Sequence, residues 1–293
     1  MNRRTLSIAP LLLAGLLAGC QQTSQEPADV SVDLNQVKTD LETLSTSRVY
    51  FAHQSVGRNM LKGIEMLIAE TGVPLHVEEV KEGVPASAGP GLFHANVGEN
   101  GVADSKISAF VADVTAPGPS VYDVAMLKFC YTDLSPEAED HDARALLERY
   151  ESTIAGLRTQ QPNLTVMHTT MPLRSEPPGW KTRVKRLIGK EVISDRGNIM
   201  RGEYNELLRS QTPPAELFDV ARLEATHADG TIATFEANGR KVEVLAPEHT
   251  YDGGHLNDPA KRYFAADFLH ALAQAVRQRP AAPAAPAETL PTT

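Results

Sequence analysis

The stretch that decides the fold is Arg48-Val49-Tyr50-Phe51-Ala52-His53-Gln54-Ser55-Val56-Gly57. Its first half is a short apolar run of the kind that forms a buried strand. In residues 56–70 the apolar side chains of Met60, Ile64 and Leu67 recur at the spacing of one helical face. The stretch therefore predicts a strand, a turn that carries Ser55, and a helix.

The same alternation continues along the chain. Further strands are predicted at residues 75–80, 124–129, 164–169 and 217–221. Further helices are predicted at residues 37–44, 104–111, 136–158 and 202–210, and from residue 258 onward. A hairpin is predicted at residues 231–245 around Asn238-Gly239. Strands that alternate with helices favour a mostly parallel sheet covered on both faces, with functional loops at the carboxyl ends of the strands.

The amino-terminal segment has the pattern of an export signal. Arg3 and Arg4 precede an apolar stretch that runs to Ala18, which is shorter than the roughly 20 residues that span a bilayer. The stretch ends in Leu17-Ala18-Gly19-Cys20, which resembles the lipobox of bacterial lipoproteins. The resemblance implies that acyl chains such as palmitate are attached to Cys20. The alternative is a secreted protein cut by ordinary signal peptidase.

These features divide the chain into four predicted parts. Residues 1–19 are the signal, residues 20–46 the lipidated cysteine with a tether and leading helix, and residues 47–277 the folded domain. Residues 278–293 are rich in proline and alanine and predict a disordered tail. Gln21 after the cysteine resembles lipoproteins sent to the outer membrane, so we expect a lipid-anchored protein of the cell envelope, facing the periplasm.

The charge balance narrows the class of partner. The chain has 28 basic and 37 acidic residues and a net charge of −9, which becomes −11 without the two signal arginines. A diffuse nucleic-acid binder needs the opposite sign, so no nucleic acid is expected. Cys20 and Cys130 cannot build a disulfide scaffold, and Cys130 is predicted to be a buried free thiol.

Two turns carry candidate catalytic residues. Ser55 stands between a strand end and a helix start, where it is either a helix N-cap or an exposed nucleophile. Near the end of the chain, Tyr251-Asp252-Gly253-Gly254-His255-Leu256-Asn257 precedes the final helix. A histidine can take the proton of a serine hydroxyl, and an aspartate bonded to its other nitrogen holds it in the correct tautomer.

Together these motifs resemble the SGNH (GDSL-like) hydrolases, with His-x-Ser-Val-Gly in place of Gly-Asp-Ser-Leu. The resemblance implies a three-layer α/β/α flavodoxin-like fold with a mostly parallel five-stranded sheet, and ester hydrolysis through an acyl-enzyme. It also implies that Ser55 is the nucleophile, His255 the general base and then acid, and Asp252 the residue that orients His255.

The family's oxyanion hole uses the serine N–H, a glycine from a second block and an asparagine from a third. The second block corresponds to Val97-Gly98-Glu99-Asn100-Gly101, which offers Gly98 and Asn100. The third corresponds to Lys128-Phe129-Cys130-Tyr131-Thr132-Asp133-Leu134 and places Thr132 where the family has asparagine. Since one missing oxyanion donor raises the barrier by about 2.7–4 kcal/mol, this departure bears on the rate.

Other polar residues have two interpretations each. His53 can line the substrate site or hold the Ser55 turn, and His168 can contact substrate or pack at a strand end. His249, Asp252 and His255 can form a metal site, but three ligands from one loop are too few for a typical zinc site, so no metal or other cofactor is expected.

The sequence thus predicts a lipid-anchored serine esterase of the cell envelope that acts on a small-molecule or carbohydrate ester, of which an acetyl ester is one case. The alternative is a non-catalytic envelope lipoprotein that uses the same fold as a glycan-binding or scaffold module. Nothing in the sequence indicates an oligomeric state.

Overall fold

The computed structural model describes residues 31–81, 83–118, 121–175, 193–237 and 239–279. Its helices are α1 (Leu34–Leu44), α2 (Ser55–Thr71), α3 (Ala103–Thr115), α4 (Ala143–Gln160), α5 (Ile193–Gln211), α6 (Val220–Ala225) and α7 (Asp258–Gln278). Its strands are β1 (Arg48–His53), β2 (Val77–Glu79), β3 (Gly91–Asn96), β4 (Val124–Leu127), β5 (Thr165–Thr169), β6 (Leu217–Phe218), β7 (Thr234–Ala237) and β8 (Arg240–Glu243). The predicted signal, Cys20 and nearly all of the predicted tail lie outside these residues. No helix in the described part of the chain is long and apolar enough to cross a membrane.

Six strands form the main sheet in the order β2-β3-β1-β4-β5-β6, and every neighbouring pair is parallel. The antiparallel pair β7-β8 stands apart from it as the predicted hairpin. The predicted α/β class with a mostly parallel sheet between helix layers is confirmed. The predicted count of five strands is one too low.

The strand that the sequence pattern does not predict is β3. It lies between β1 and β2, in register from Arg48 opposite Gly91 to His53 opposite Asn96. Its apolar run is short because a proline and a glycine precede it and His94 interrupts it. Pairing on both edges makes this segment a strand, and a local pattern does not record such pairing.

Residues of β1 alternate between two cores. Val49 and Phe51 pack into the core beneath α1, α2 and α7, and Tyr50 and Ala52 pack into the core beneath α3, α4 and α5. A strand buried on both faces is apolar throughout, which explains why this run stands out in the sequence. Full burial of one large apolar side chain such as Phe51 stabilises the fold by roughly 1.5–3 kcal/mol.

Helix α1 belongs to the folded unit, so this unit begins before the predicted boundary at residue 47. Val37, Leu41 and Leu44 are part of the same core as α2 and α7. Asp40 is buried, and its carboxylate accepts hydrogen bonds from Arg277 at 2.6 Å and from His270 at 3.0 Å on α7. This anchor ties the leading helix to the last one.

Helix α4 begins at Ala143 and not at residue 136. Asp142 is its N-cap, and the side chain of Asp142 accepts from the N–H of Ala145 at 3.0 Å. The preceding residues 131–139 form turns and bends instead, in which the N–H of Glu139 donates to the carbonyl of Gly101 at 3.0 Å and not to a helical neighbour. These turns extend the loop after β4 at the carboxyl edge of the sheet.

Strand β1 marks the point where the chain changes direction across the sheet. From β1 the chain passes to β2 and β3 on one side, and then crosses to β4, β5 and β6 on the other. In an open parallel sheet such a point opens a crevice at the carboxyl ends of the strands. The loops after β1, β3 and β4 border this crevice.

Candidate active site

Ser55 occupies the first position of α2, directly after the turn that follows β1. Gln54 is the N-cap residue, but its side chain makes no capping hydrogen bond to the helix. Its amide instead donates to the carbonyls of Val97 at 2.6 Å and Gly98 at 3.0 Å, in the loop after β3. The first N–H groups of α2 therefore lack a side-chain cap and can face a developing negative charge.

The Asp252 turn is held by hydrogen bonds within itself. Asp252 Oδ1 accepts from the N–H groups of Gly254 at 2.9 Å and His255 at 2.8 Å. The Thr250 hydroxyl donates to the carbonyl of His255 at 2.6 Å and accepts from the N–H of Gly253 at 2.9 Å. Gly253 has φ of +88°, a conformation that favours glycine.

Two contacts fix this turn against the rest of the fold. The N–H of Leu256 donates to Asn59 Oδ1 on α2 at 3.1 Å. The carbonyl of Gly253 accepts from the N–H of Ser175 at 2.9 Å, in the loop that follows β5. The turn is thereby held over the amino end of α2.

The two turns bring the three predicted catalytic side chains together. His255 Nε2 lies 3.0 Å from Ser55 Oγ, and His255 Nδ1 lies 2.6 Å from Asp252 Oδ2. Ser55 and His255 are 200 residues apart in the chain, so only the fold makes this contact. The result is one continuous hydrogen-bonded chain from hydroxyl to carboxylate.

The charge of Asp252 sets the proton positions along this chain. Burial by itself raises the pKa of the Asp252 carboxyl. Hydrogen bonds from the backbone N–H and the ring of His255 and from the N–H of Gly254 outweigh this effect. Together they lower the pKa to about 2. The ionised carboxylate favours a proton on His255 Nδ1, which leaves the lone pair of Nε2 toward the Ser55 hydroxyl. The His255 side chain is 27% exposed, so a substrate can reach it.

Two tyrosines flank His255. The ring of Tyr131 meets it edge-on with 6.2 Å between centroids, and the ring of Tyr251 lies nearly parallel to it at 6.1 Å. Gly254 lies against Tyr131, because a Cβ at this glycine would come within 3.0 Å of the Tyr131 ring. No sequence pattern marks either tyrosine as part of a site. Only their positions could have indicated it, because Tyr251 precedes Asp252 and Tyr131 lies in the third block.

His53 and His168 do not line the site, which corrects one of the two interpretations given to each. His53 is fully buried, with its Nδ1 2.9 Å from the carbonyl of Gln54 and its Nε2 3.1 Å from His94. His168 is 2% exposed and lies edge-on to Tyr150 of α4, 5.6 Å between centroids. Neither has a surface to offer to a substrate, because strand geometry turns both rings into the helix layers.

The predicted oxyanion residues occupy different environments. Gly98 has φ of +59°, and a Cβ there would come within 2.6 Å of the Lys106 backbone, so the loop requires glycine. Asn100 is exposed, and its Oδ1 accepts from Lys106 Nζ at 3.0 Å. This contact occupies the oxygen of Asn100 and not its amide N–H groups. The Thr132 hydroxyl is buried without a hydrogen-bond partner among the described residues. Whether any of the three donates to a substrate remains a prediction.

A buried ion pair that no sequence pattern marks joins α3 to the third block. Lys106 and Asp133 are both fully buried, with Nζ 2.6 Å from the carboxylate. Asp133 also accepts from the N–H groups of Gly101 at 3.0 Å and Cys130 at 2.7 Å. Removing one partner of such a pair leaves an uncompensated buried charge, so the pair holds the two loops in one arrangement.

The structure does not support the metal interpretation of His249, Asp252 and His255. His249 is buried and its Nε2 donates to the carbonyl of Thr226 at 2.8 Å, away from Asp252 and His255. In the described residues, no group of three or more histidine, cysteine, aspartate or glutamate side chains is arranged to hold a metal ion. Cys130 is a buried free cysteine.

The chain is similar to known proteins in structure only. No family model matches the chain, and no curated protein matches it. Three solved structures share its general backbone arrangement. A protein from Bacteroides fragilis described as an acylhydrolase is 14% identical, with a TM-score of 0.46 over 83% of this chain and 93% of that chain.

The other two structures are similarly distant. A protein from Streptococcus pneumoniae described as a platelet activating factor is 12% identical, with a TM-score of 0.45 over 80% of this chain and 90% of that chain. The periplasmic domain of a lipopolysaccharide acetyltransferase from Salmonella ser. Paratyphi A is 13% identical, with a TM-score of 0.42 over 80% of this chain and 87% of that chain. At identities and TM-scores this low, the function of the chain has to be inferred from its own site.

Proposed function

We propose that the chain is a serine esterase in which Ser55 attacks an ester, His255 moves the proton and Asp252 orients His255. One observation carries the proposal: the uninterrupted hydrogen-bonded chain from Ser55 Oγ through both ring nitrogens of His255 to Asp252. A serine hydroxyl becomes a competent nucleophile when a neighbouring base takes its proton, and this arrangement supplies that base.

In the first half-reaction, Ser55 Oγ bonds to the carbonyl carbon of the ester as its proton passes to His255 Nε2. The carbonyl electrons move to oxygen and form a tetrahedral oxyanion. His255 then gives the proton to the leaving alkoxide, the carbon–oxygen bond to the alcohol breaks, and an acyl-serine remains. In the second half-reaction, a water molecule bonds to the acyl carbon as its proton passes to His255 Nε2. The bond to Ser55 Oγ then breaks, His255 returns the proton to Ser55, and the carboxylic acid leaves.

The oxyanion needs donors aimed at it. The N–H of Ser55 stands at the start of a helix whose end has no side-chain cap, which suits it for one of them. Gly98 and Asn100 lie in the loop that the Gln54 amide and Lys106 hold in place. Gly98 and Asn100 are our candidates for the other two donors. The buried hydroxyl of Thr132 is a weaker candidate than either.

We further propose that the enzyme is held at the cell envelope by acyl chains on Cys20 and that its substrate is a small or carbohydrate ester. The lipobox-like Leu17-Ala18-Gly19-Cys20 motivates the anchor. If it is correct, cells that express the wild-type chain incorporate labelled palmitate into it, and Cys20→Ser abolishes the incorporation. A wild-type protein that carries no label would contradict the anchor and leave the esterase proposal standing.

The activity is tested with short-chain 4-nitrophenyl esters and full-length protein purified in a mild detergent. We expect hydrolysis that Ser55→Ala abolishes and that Ser210→Ala, a substitution of an exposed serine at the end of α5, does not change. If Ser55→Ala retains the wild-type rate, the nucleophile assignment is wrong. If the folded wild-type protein hydrolyses no ester, the non-catalytic module is the better interpretation.

A further inference from the structure

A cavity of about 390 Å³ opens beside the candidate site. Its lining residues come from the loops after β3, β4 and β5 and from the first half of α5, and they include Tyr131, Thr132, Glu137, Arg174, Ser194 and Arg201. Tyr131 belongs both to this lining and to the contact with His255. Tyr131 therefore connects the cavity with the His255 ring of the candidate site.

Four residues that line this cavity each carry a buried polar atom without a hydrogen-bond partner among the described residues. The atoms are the hydroxyls of Thr132 and Ser194 and the Nε–H groups of Arg174 and Arg201. Every one of them can donate a hydrogen bond, and the two guanidinium groups can only donate. Ser194 is 5% and Arg201 1% exposed, so bulk water does not satisfy them. A buried donor without an acceptor is costly, and a small turn of these side chains toward the cavity offers the donors to an acceptor bound there.

The two arginines are built into the site and are not surface charges. Arg201 donates to the carbonyls of Tyr131 at 2.6 Å and Leu134 at 3.1 Å and to Asn198 Oδ1 at 2.7 Å. Arg174 lies over the ring of Tyr131, with 5.0 Å between its guanidinium carbon and the ring centroid. Gly197 leaves room for Arg201, since a Cβ there would come within 2.8 Å of its guanidinium.

The positive charge of this cavity is not balanced by nearby carboxylates. Burial and the proximity of Arg174 lower the pKa of Arg201 to about 10, so it stays charged at neutral pH. Glu224 lies near Arg201, but burial raises the pKa of Glu224 and weakens it as a counter-charge. The charge of Asp133 is already matched by Lys106. Glu137 is the only acidic residue among the described lining, and it is exposed.

We propose that this cavity binds an oxygen-bearing anionic group of the substrate, a carboxylate or a phosphate, while Ser55 attacks the ester. The planar fork of arginine matches both groups, and serine and threonine hydroxyls complete such sites. The inference rests on the proposed esterase function and narrows it to esters that carry a negative charge a short distance from the scissile bond.

The test compares charged esters with neutral counterparts of the same shape, using full-length protein purified in a mild detergent. One pair places the carboxylate on the acyl side: mono-4-nitrophenyl glutarate and the 4-nitrophenyl ester of glutaramic acid, in which an amide replaces the carboxylate. The other pair places it on the alcohol side: 4-carboxyphenyl acetate and 4-carbamoylphenyl acetate. The readout is the charged-to-neutral ratio of kcat/KM for each pair.

We expect Arg174→Gln to lower this ratio about tenfold or more in at least one pair, the size of a lost charge-assisted hydrogen bond. Ser194→Ala, a smaller change less able to disturb folding, should lower it about three- to tenfold, because it removes one hydrogen bond from a hydroxyl to the charged group. Arg144→Gln, which removes an exposed arginine of α4, is the matched control and should leave the ratio unchanged. Glu137→Gln should raise the ratio, because it removes the one carboxylate of the described lining.

A ratio that neither Arg174→Gln nor Ser194→Ala lowers in either pair overturns the proposal. If such esters are hydrolysed with dependence on Ser55, the esterase function stands and only the anion site fails. If no ester is hydrolysed, titration calorimetry with glutarate and with inorganic phosphate decides. Binding of either anion that Arg174→Gln abolishes supports the site and separates the two chemistries, and absence of binding to the wild-type protein overturns it.

Discussion

Two histidines stand close to Ser55, and they differ in every property that matters for catalysis. His53 is two residues away in the sequence, yet it is fully buried and its ring nitrogens lie near the carbonyl of Gln54 and His94. His255 comes from the other end of the chain, is partly exposed, and bonds to both Ser55 and Asp252. The distant histidine meets the hydroxyl because two loops converge at one edge of the sheet.

The comparison shows what a base needs beyond an imidazole ring. Burial, together with the nearby His94 and Lys128, lowers the pKa of His53 to about 3, although the hydrogen bond to the carbonyl of Gln54 opposes the shift. A histidine that cannot accept a proton near neutral pH supports structure and not proton transfer. His255 has a carboxylate at one ring nitrogen and the Ser55 hydroxyl at the other, which is the arrangement that moves a proton from serine and stabilises the imidazolium during the reaction.

The largest expected effect comes from exchanging each histidine for glutamine. His255→Gln should lower kcat/KM on a 4-nitrophenyl ester by roughly 10⁴-fold or more, because the base is lost. His53→Gln should change kcat/KM by less than about tenfold, because a glutamine can keep part of the hydrogen bonding under α2. Initial rates of both variants, with folding checked by circular dichroism, measure the difference. Similar losses in both variants would break the distinction between the two histidines.

Removing the charge of Asp252 should have the next largest effect. The oxygen of asparagine in Asp252→Asn can still accept the two backbone N–H groups that hold the turn, but its amide cannot accept from His255 Nδ1. The wrong tautomer is then favoured, and kcat/KM should fall roughly 10³- to 10⁴-fold. Asp142→Asn, which replaces one good N-cap of α4 by another, should leave kcat/KM unchanged. A loss of less than tenfold in Asp252→Asn would show that this carboxylate does not act through the ring.

The smallest expected effect on activity, and the clearest on stability, concerns the buried histidines. Burial lowers the pKa of His53 to about 3 and that of His168 to about 4, below the usual 6.5 that applies in the unfolded chain. The unfolded state therefore binds more protons between these values, and the free energy of unfolding decreases as pH falls from about 6.5.

For His53 alone this loss is on the order of 2 kcal/mol between pH 7 and pH 5. Urea unfolding at both pH values measures it. The His53→Gln variant should be less stable than the wild type at pH 7 but lose less stability on going to pH 5. An equal loss in both proteins would mean that His53 does not stay unprotonated in the folded state.

The parts of this account that the sequence predicts are local in origin. β1, the turn at Ser55 and α2 follow from one apolar run and one helical face, and Asp252 and His255 follow from a short motif before a capped helix. β3 was missed because its strand character depends on pairing with β1 and β2. The burial of His168 is also not predictable from a local pattern, because it depends on the packing of α4 over β5.

The neighbourhood of the site depends on contacts that no short pattern records. Lys106 resembles a surface residue of α3 in the sequence, and only the fold shows that it is buried against Asp133. Arg174 and Arg201 both contact Tyr131, although Arg174 lies in the loop after β5 and Arg201 lies in α5. Motifs can therefore indicate the reacting atoms, and the pocket that selects the substrate has to be found in three dimensions.

The most direct measurement of the central claim is labelling with a fluorophosphonate probe, followed by mass spectrometry of the tryptic peptides. Such a probe reacts with a serine whose proton is taken by a neighbouring base. We predict one modified residue, Ser55, with labelling abolished in Ser55→Ala and strongly reduced in His255→Gln. A folded wild-type protein that is not labelled at Ser55, or that is labelled equally well in His255→Gln, would contradict the account.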